Sequence, residues 1–571
     1  MKNYKVFYKD KVFISDERNL LKIFQKEKVK ISAPCGGKGL CGKCKVKIEK
    51  GNVSPLTEVE KSFLREYEIK NNVRLACQVF IEDEVYVAPL EDERNINILT
   101  NFLLEAYYPI NPEVKVKAFK LEKPDLTNQT SYHDRLLSYF DNKYKIANIF
   151  LIRKIPDYFK NNNFLGNVIV YKDEIIDIRE ESFNDPLGLA IDLGTTTIVM
   201  KILSLSNGRE IWNTSFRNPL NVFGADVISL IGYTMENERG IDTLNYTLVS
   251  EIKERLKNFQ RLSDIYEIAL SGNPTMTHIF IGVNPESISF SPYIPVFTSS
   301  LTFDALSLNF HNINPFSKIY TFPLISGYVG GDILAGILAI QLWREDGNVI
   351  FIDMGTNGEI VLKSGDIIYS CATACGPAFE GGNISMGMNA EEGAIDHVWV
   401  DEGKLRFSTI GESRERGMCG TGLIDVVAKG LELGLIDNTG KIKGGEIELG
   451  NVKILQKDIR EFQLAKSAIR SGIEILLREA GIKVEDVDKI FLAGAFGSFI
   501  NIENTIKVGL IPKIERRKVI PVGNSSLKGA ELVLLNKHYK KIAELLSKRV
   551  KYTELSSRKD FQDLFVEFMY F

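Results

Sequence analysis

The sequence predicts a multidomain chain joining α+β and α/β architectures: a compact N-terminal unit, a small α+β unit, and a large C-terminal region of two similar halves. Three observations predict it. The chain has 571 residues, well past the roughly 250–300 at which one hydrophobic core stops growing. Four of its seven cysteines (Cys35, Cys41, Cys44 and Cys77) crowd the first 80 positions. A strand running into Asp, a Gly-Thr turn and a second strand occurs twice, at Asp192 and again at Asp353.

The composition narrows the class. Apolar residues make up 44% and charged residues 25%, which excludes a largely disordered chain, a collagen-like one and a small disulfide scaffold. Lys+Arg 71 against Asp+Glu 74 leaves a net charge of −3, so no global attraction to nucleic acid or anionic lipid is expected. No stretch reaches the roughly 18 apolar residues that a membrane span requires. The best candidate, Ile333–Trp343, is broken by Gly336 and Gln341. The N-terminus alternates like a strand and lacks the apolar core of a signal peptide, which predicts a cytoplasmic protein. In that compartment cysteines point to metal or redox chemistry before disulfides.

Along the chain, residues 4–14 and 44–50 read as strands, with a helix at Leu20–Lys26 carrying Leu20, Leu21, Ile23 and Phe24 on one face. A glycine-rich turn follows at Cys35–Gly39, and Val85–Ala88 closes a first domain over 1–93. Residues 94–112 lack a period, end in Pro-Ile-Asn-Pro and read as a linker. A small α+β domain over 113–184 follows: a strand from Val114, a helix near Asp134–Phe140, and strands at IANIFLI (146–152) and NVIVY (167–171). Asp185-Pro186 then opens the α/β region that runs over 185–571.

Cys35, Cys41, Cys44 and Cys77 have the spacing C-x5-C-x2-C-x32-C. Three thiolates on one loop and a fourth from a later strand can surround two irons. Glycines let the loop wrap closely and turn N–H groups toward the sulfurs. A four-cysteine zinc site is the alternative, but such sites usually pair two C-x2–4-C knuckles, and Cys77 has no near partner. The x5 interval resembles that of adrenodoxin-like 2Fe–2S ferredoxins, which implies a β-grasp ferredoxin domain holding one 2Fe–2S cluster. Cys371, Cys375 and Cys419 read as small buried side chains beside glycine turns.

Each Asp-Gly-Thr turn sets a carboxylate beside backbone N–H groups and hydroxyls, which can cradle phosphate oxygens while the Asp holds Mg²⁺ or its water shell. The candidates are Asp192 with Gly194, Thr195 and Thr196, and Asp353 with Gly355, Thr356 and Asn357. A third element, the strand Ile490–Ala493 running into the Gly494–Gly497 turn, leaves room for a flat base and ribose. Asp458 reads as the N-cap of a helix with Ile459, Phe462, Ala465, Ile469, Ile473, Leu476 and Leu477 on its apolar face. A second helix should follow Gly417–Gly422, with its cap there. The five histidines are scattered without ligand spacing, and His278 is the first to examine.

The two phosphate turns and the adenosine turn resemble the actin, hexokinase and heat-shock chaperone superfamily of ATPases. Joined to a ferredoxin-like domain, they make the chain resemble the reductive activators of corrinoid proteins. The matching text includes GLAIDLGTTT, NPLNVFGADV, LSGNPTMTH, DMGTNGE, CGPAFEGGNISMGM, DIREFQLAKSAIRSGIEIL and LAGAFGSFINIENTIKVGLIP. The resemblance implies an enzyme that uses ATP and Mg²⁺ to deliver an electron from its cluster to an inactive Co(II) corrinoid, restoring Co(I). It also implies a low-potential electron donor and a homodimer. Nucleotide can act in such a reaction only by binding conformational states differently. Three other classes share parts of this text: a small-molecule kinase, a nucleotide-independent electron carrier, and an ATP-coupled reductase of another metalloenzyme, like the activators of 2-hydroxyacyl-CoA dehydratases.

Overall fold

The computed structural model describes every residue except 1, 2, 10, 28, 30, 32, 34, 40, 41, 65, 90–101, 105–107, 225, 356 and 498. The N-terminal unit is a mixed five-stranded sheet. Strands β1 (Tyr4–Tyr8), β2 (Lys11–Ser15), β3 (Lys45–Val53), β4 (Val73–Leu75) and β5 (Ile81–Pro89) lie in the order β2-β1-β5-β3-β4. The stretch 4–14 is therefore two strands rather than one, because Lys9 takes the left-handed region at φ 52° and folds the chain into a hairpin. β1 runs parallel to β5 and every other pairing is antiparallel. Helix Leu20–Lys26 buries Leu20, Leu21, Ile23 and Phe24, and the Asn19 side chain caps it by accepting from Lys22 N at 3.1 Å. A helix laid on a mixed sheet of this kind is the β-grasp arrangement.

The second unit has an antiparallel three-stranded sheet of β6 (Val114–Lys120), β7 (Leu165–Tyr171) and β8 (Glu174–Arg179). Helices Tyr132–Tyr139 and Ile149–Asn161 accompany it. The segment 146–152, expected as a strand, instead starts the second helix. Asn148 caps it by accepting from Phe150 N at 2.8 Å, and Leu151, Ile155, Tyr158 and Phe159 form one buried face at helical spacing. The described part of the expected linker is fastened down. Leu103 N bonds Val522 O at 3.0 Å, Tyr108 OH bonds Ala339 O at 2.9 Å and Asn111 N bonds Leu535 O at 2.8 Å. Residues 94–101 and 105–107 of that segment lie outside the described residues.

The large region holds two six-stranded sheets. The first comprises β9 (Leu187–Leu193), β10 (Thr197–Ser204), β11 (Glu210–Arg217), β12 (Ile265–Gly272), β13 (Leu301–Asp304) and β14 (Lys318–Thr321), ordered β11-β10-β9-β12-β14-β13. The second comprises β15 (Val349–Met354), β16 (Gly358–Ser364) and β17 (Ile367–Thr373) with strands Lys489–Ala493, Val519–Gly523 and Val550–Tyr552. In each sheet three strands form an antiparallel meander, and a fourth and fifth join its first strand in parallel. Strand order 3-2-1-4-5 thus occurs twice, which is the duplication that the repeated Asp-Gly-Thr phrase predicts.

Between the halves, helices Gly331–Ala339 and Ser525–Leu535 pack backbone to backbone. A Cβ on Gly529 would lie 2.2 Å from Ala335 O, so only glycine permits this approach. Helix Gln456–Ala480 begins three residues earlier than expected. Asp458 is its third residue rather than its N-cap, reaching back to accept from Leu455 N at 2.8 Å and from Ser385 N at 2.7 Å. The segment Ile333–Ala339 is a buried helix, and no helix among the described residues is long and apolar enough to cross a membrane.

Candidate functional site

Asp192 and Asp353 are each the next-to-last residue of their strand, β9 and β15, so the duplicated topology brings both to the cleft between the halves. Asp192 is held by the start of a helix that packs on its own sheet. Asn524 Nδ2 donates to its Oδ2 at 2.8 Å and Ser526 Oγ donates to its Oδ1 at 2.7 Å. Both donors sit at the start of helix Ser525–Leu535, which Asn524 caps. Burial raises the Asp192 carboxyl above the usual carboxylate range, against the pull of those two hydrogen bonds.

Two further acids join them that the sequence reading missed. Asp332 stands in the first turn of helix Gly331–Ala339, and Glu359 lies directly opposite Asp353 across the β15–β16 pair. Burial first, then the neighbouring Asp192 charge, pushes Asp332 up to about 7. Burial, then Asp332 and Asp192, pushes Asp353 up to about 7. Glu359 is raised well above its ordinary value by burial and then by Asp332 and Asp353. These carboxyls lie within electrostatic reach of one another, although no three of them converge on a single metal position. Mg²⁺ needs only one or two carboxylates beside phosphate oxygens and waters.

The Gly194–Thr196 turn is fixed on several sides. Asn218 Nδ2 donates to Gly194 O at 2.8 Å, Asn273 Nδ2 donates to Thr195 Oγ1 at 3.0 Å, and Thr196 Oγ1 reaches Glu380 of the second half at 2.9 Å. The turn at Gly355 is more open: among the described residues a Cβ there would meet only Asn357 O, at 3.7 Å. Thr356 lies outside the described residues. Gly494 follows strand Lys489–Ala493 at φ 87°, and a Cβ there would come within 2.9 Å of Met354 O and 3.0 Å of Asp353 Oδ1. Gly494–Gly497 is a single helical turn rather than a plain loop.

The cysteine loop also suits its expected cargo. Gly36, Gly37, Gly39 and Gly42 all adopt φ between 59° and 88°, winding the loop tightly around the sulfurs. Cys44 and Cys77 are buried and Cys35 is partly exposed; Cys41 lies outside the described residues. Ala76 N donates to Cys44 O at 2.8 Å and Asn19 Nδ2 donates to Cys77 O at 2.9 Å, which fixes the two buried cysteines against each other. The Cys77 thiol is drawn down to about 7, chiefly by its hydrogen bond with Cys44, against burial and with help from Gln78 and the Gly39 N–H. Among the described residues, no three His, Cys, Asp or Glu side chains alone complete a metal site. The thiol set with its left-handed glycines fits an iron–sulfur cluster once Cys41 is counted.

The remaining candidates are structural in geometry. His278 donates from Nδ1 to Pro274 O at 2.7 Å, accepts from Val296 N at Nε2 and stacks on Phe297. Cys371, Cys375 and Cys419 are buried, and burial raises all three thiols.

A β-grasp unit with a glycine-wound cysteine loop, joined to a duplicated α/β fold, is the architecture of an iron–sulfur ATPase. Comparison with known proteins is specific. Family profiles match in four consecutive blocks: a 2Fe-2S iron-sulfur cluster binding domain over residues 9–82, the RACo linker region over 104–185, the RACo middle region over 187–345, and the C-terminal ASKHA domain of RACo over 347–571. The corrinoid activation enzyme RamQ of Eubacterium limosum is 30% identical over 93% of this chain and 92% of its own. The [Co(II) methylated amine-specific corrinoid protein] reductase of Methanosarcina barkeri is 27% identical over 63% of this chain and 72% of its own. A solved structure titled reductive activator for corrinoid,iron-sulfur protein superposes with a TM-score of 0.75 at 31% identity, covering 99% of this chain and 98% of that one. The chain belongs to the RACo family of corrinoid-protein reductive activators.

Proposed function

We propose that this protein is an ATP-dependent reductive activator, returning the inactive Co(II) corrinoid of a partner protein to Co(I). The observation that carries the reading is the coexistence, in one chain, of a cysteine loop fit for a cluster and a four-carboxylate cleft fit for Mg-ATP. Relatives named for corrinoid activation and for reduction of a Co(II) corrinoid protein support it. In this reading Cys35, Cys41, Cys44 and Cys77 hold one 2Fe–2S cluster, which supplies single electrons at low potential.

Within the cleft, Asp192 keeps one orientation through Asn524 and Ser526, so its carboxylate is pre-set for Mg²⁺ or a bound water. Asp353 and Glu359 complete the acidic wall. Asp332, with a pKa near 7, can take a proton at a carboxylate oxygen from a water aimed at the terminal phosphate. Gly194, Thr195 and Thr196, and Gly355, Thr356 and Asn357, serve as the two phosphate turns in this reading, and Gly494 and Gly497 take the adenosine end. Thr196 bridges to Glu380 in the other half, so nucleotide between the turns would bias how the halves close. We place the protein in the cytoplasm, with a low-potential donor and a second copy of the chain as its other partners.

The test is anaerobic ATP hydrolysis by the cluster-loaded chain against a panel of Co(II) corrinoid proteins. Hydrolysis stimulated by one of them supports the reading. Hydrolysis that depends instead on a small hydroxyl compound would make the protein a kinase.

A further inference from the structure

The cluster loop does not stand apart from the ATPase. It rests on the segment Asn218–Gly224, the same segment that supports the phosphate-1 turn from beneath. On one side, Asn218 N donates to Thr196 O at 2.8 Å, Asn218 Nδ2 to Gly194 O at 2.8 Å, and Asn221 Nδ2 to Thr196 O at 3.4 Å. On the other side, Gln25 Nε2 donates to Val222 O at 2.7 Å and Ala33 N to Asn221 O at 3.4 Å. Phe223 O stands 3.0 Å from where a Cβ on Gly36, the neighbour of Cys35, would lie. Ile31 packs against the cores of both units. The far end of the loop is tied to the other half of the cleft, where Lys43 Nζ donates to Gly387 O at 3.0 Å.

The loop therefore straddles both walls of the nucleotide cleft. Any movement of one half against the other must shift Val222 and Asn221 relative to Gly387, and so must bend or reorient the loop between them. The segment is also incompletely bonded: Asn221 Oδ1 is buried without a hydrogen-bond partner among the described residues. An orphaned buried acceptor weakens the hold of one arrangement over another.

We propose that Asn218–Gly224 couples the nucleotide to the cluster, with Asn221 and Gln25 as positioning residues that transmit closure of the phosphate turns to the cysteine loop. This rests on the nucleotide and cluster reading above and names the path between the two sites. Coupling of this kind requires a contiguous element that both sites bias, and here that element is seven residues long.

The test is hydrogen exchange on the cluster-loaded full chain, with and without Mg²⁺ and a non-hydrolysable ATP analogue, in wild type, Gln25→Ala and Asn221→Ala. Gln25 lies on the ferredoxin side and is only partly buried, so its variant should keep both the fold and basal ATP hydrolysis. The analogue should slow exchange at 194–197 in all three proteins. In wild type it should also slow exchange across 33–44 by about threefold or more, a nucleotide effect that Gln25→Ala and Asn221→Ala should lose. A purely structural contact would instead alter loop exchange equally with and without nucleotide. The proposal is overturned if 33–44 ignores the analogue in wild type, or if both variants respond as fully as wild type. Absence of protection at 194–197 would remove the nucleotide reading itself, and this inference with it.

Discussion

Asp192 and Asn524 are 332 positions apart in sequence, yet Asn524 Nδ2 donates to the Asp192 carboxylate at 2.8 Å. The contact joins the first strand of the first half to the cap of a helix that comes late in the chain, after the second sheet's strand Val519–Gly523, and packs back on β9 and β12.

This predicts separable losses. Asp192→Ala should lower ATP hydrolysis at least about 100-fold while leaving the visible spectrum of the cluster intact. Cys44→Ser should abolish that spectrum and leave hydrolysis without a corrinoid partner within about twofold of wild type. Absorbance and phosphate-release assays on the same preparations check both.

The raised carboxyls predict an inverted pH dependence of stability. Asp332 and Asp353 hold protons in the folded chain up to about pH 7 that they release in the unfolded chain near 4. The metal-free protein should therefore lose stability as pH rises from about 4 to about 7, and stay low above that. Asp332 keeps some exposed surface, so Asp332→Asn should raise metal-free stability at pH 8 by only about 1–2 kcal/mol. It should also lower hydrolysis sharply. Thermal melts at pH 5.5 and 8, with and without Mg²⁺, test the sign; Mg²⁺ should stabilise wild type more at pH 8.

Gly494→Ala should weaken nucleotide binding about tenfold or more without removing the cluster. Its φ of 87° and the 2.9 Å approach to Met354 O leave no room for a methyl group, and the displaced atoms belong to the phosphate-2 strand. Titration with a fluorescent ATP analogue measures it.

Gly529→Ala should destabilise the chain by about 1–3 kcal/mol, because the methyl would drive apart the two helices between the halves. The midpoint of denaturant unfolding is the readout.

The parts of this protein legible in sequence were those where chemistry and chain order coincide. Asp192 and Asp353 each follow an apolar strand and open a Gly-Thr turn, so residue type and local pattern name them together. Asp332 opens an apolar helix after two glycines, where an acidic residue is ordinary first-turn composition. Only the crossing of that helix under the cleft brings it to Asp192. Glu359 needed the register of β16 against β15. The segment 146–152 was misread because a short apolar run carries no period of its own, although Asn148 was a cap signal. The contact between Gln25 and Val222 joins residues 197 apart and had no sequence signature at all.

The measurement that most directly tests the account is anaerobic visible spectroscopy of the reduced, cluster-loaded protein mixed with Co(II) corrinoid protein. Wild type should generate the Co(I) band with Mg-ATP, while Asp192→Ala and Cys44→Ser should each fail for different reasons. A Co(I) band of equal size and rate without nucleotide, or one that survives loss of Cys44, would contradict the account.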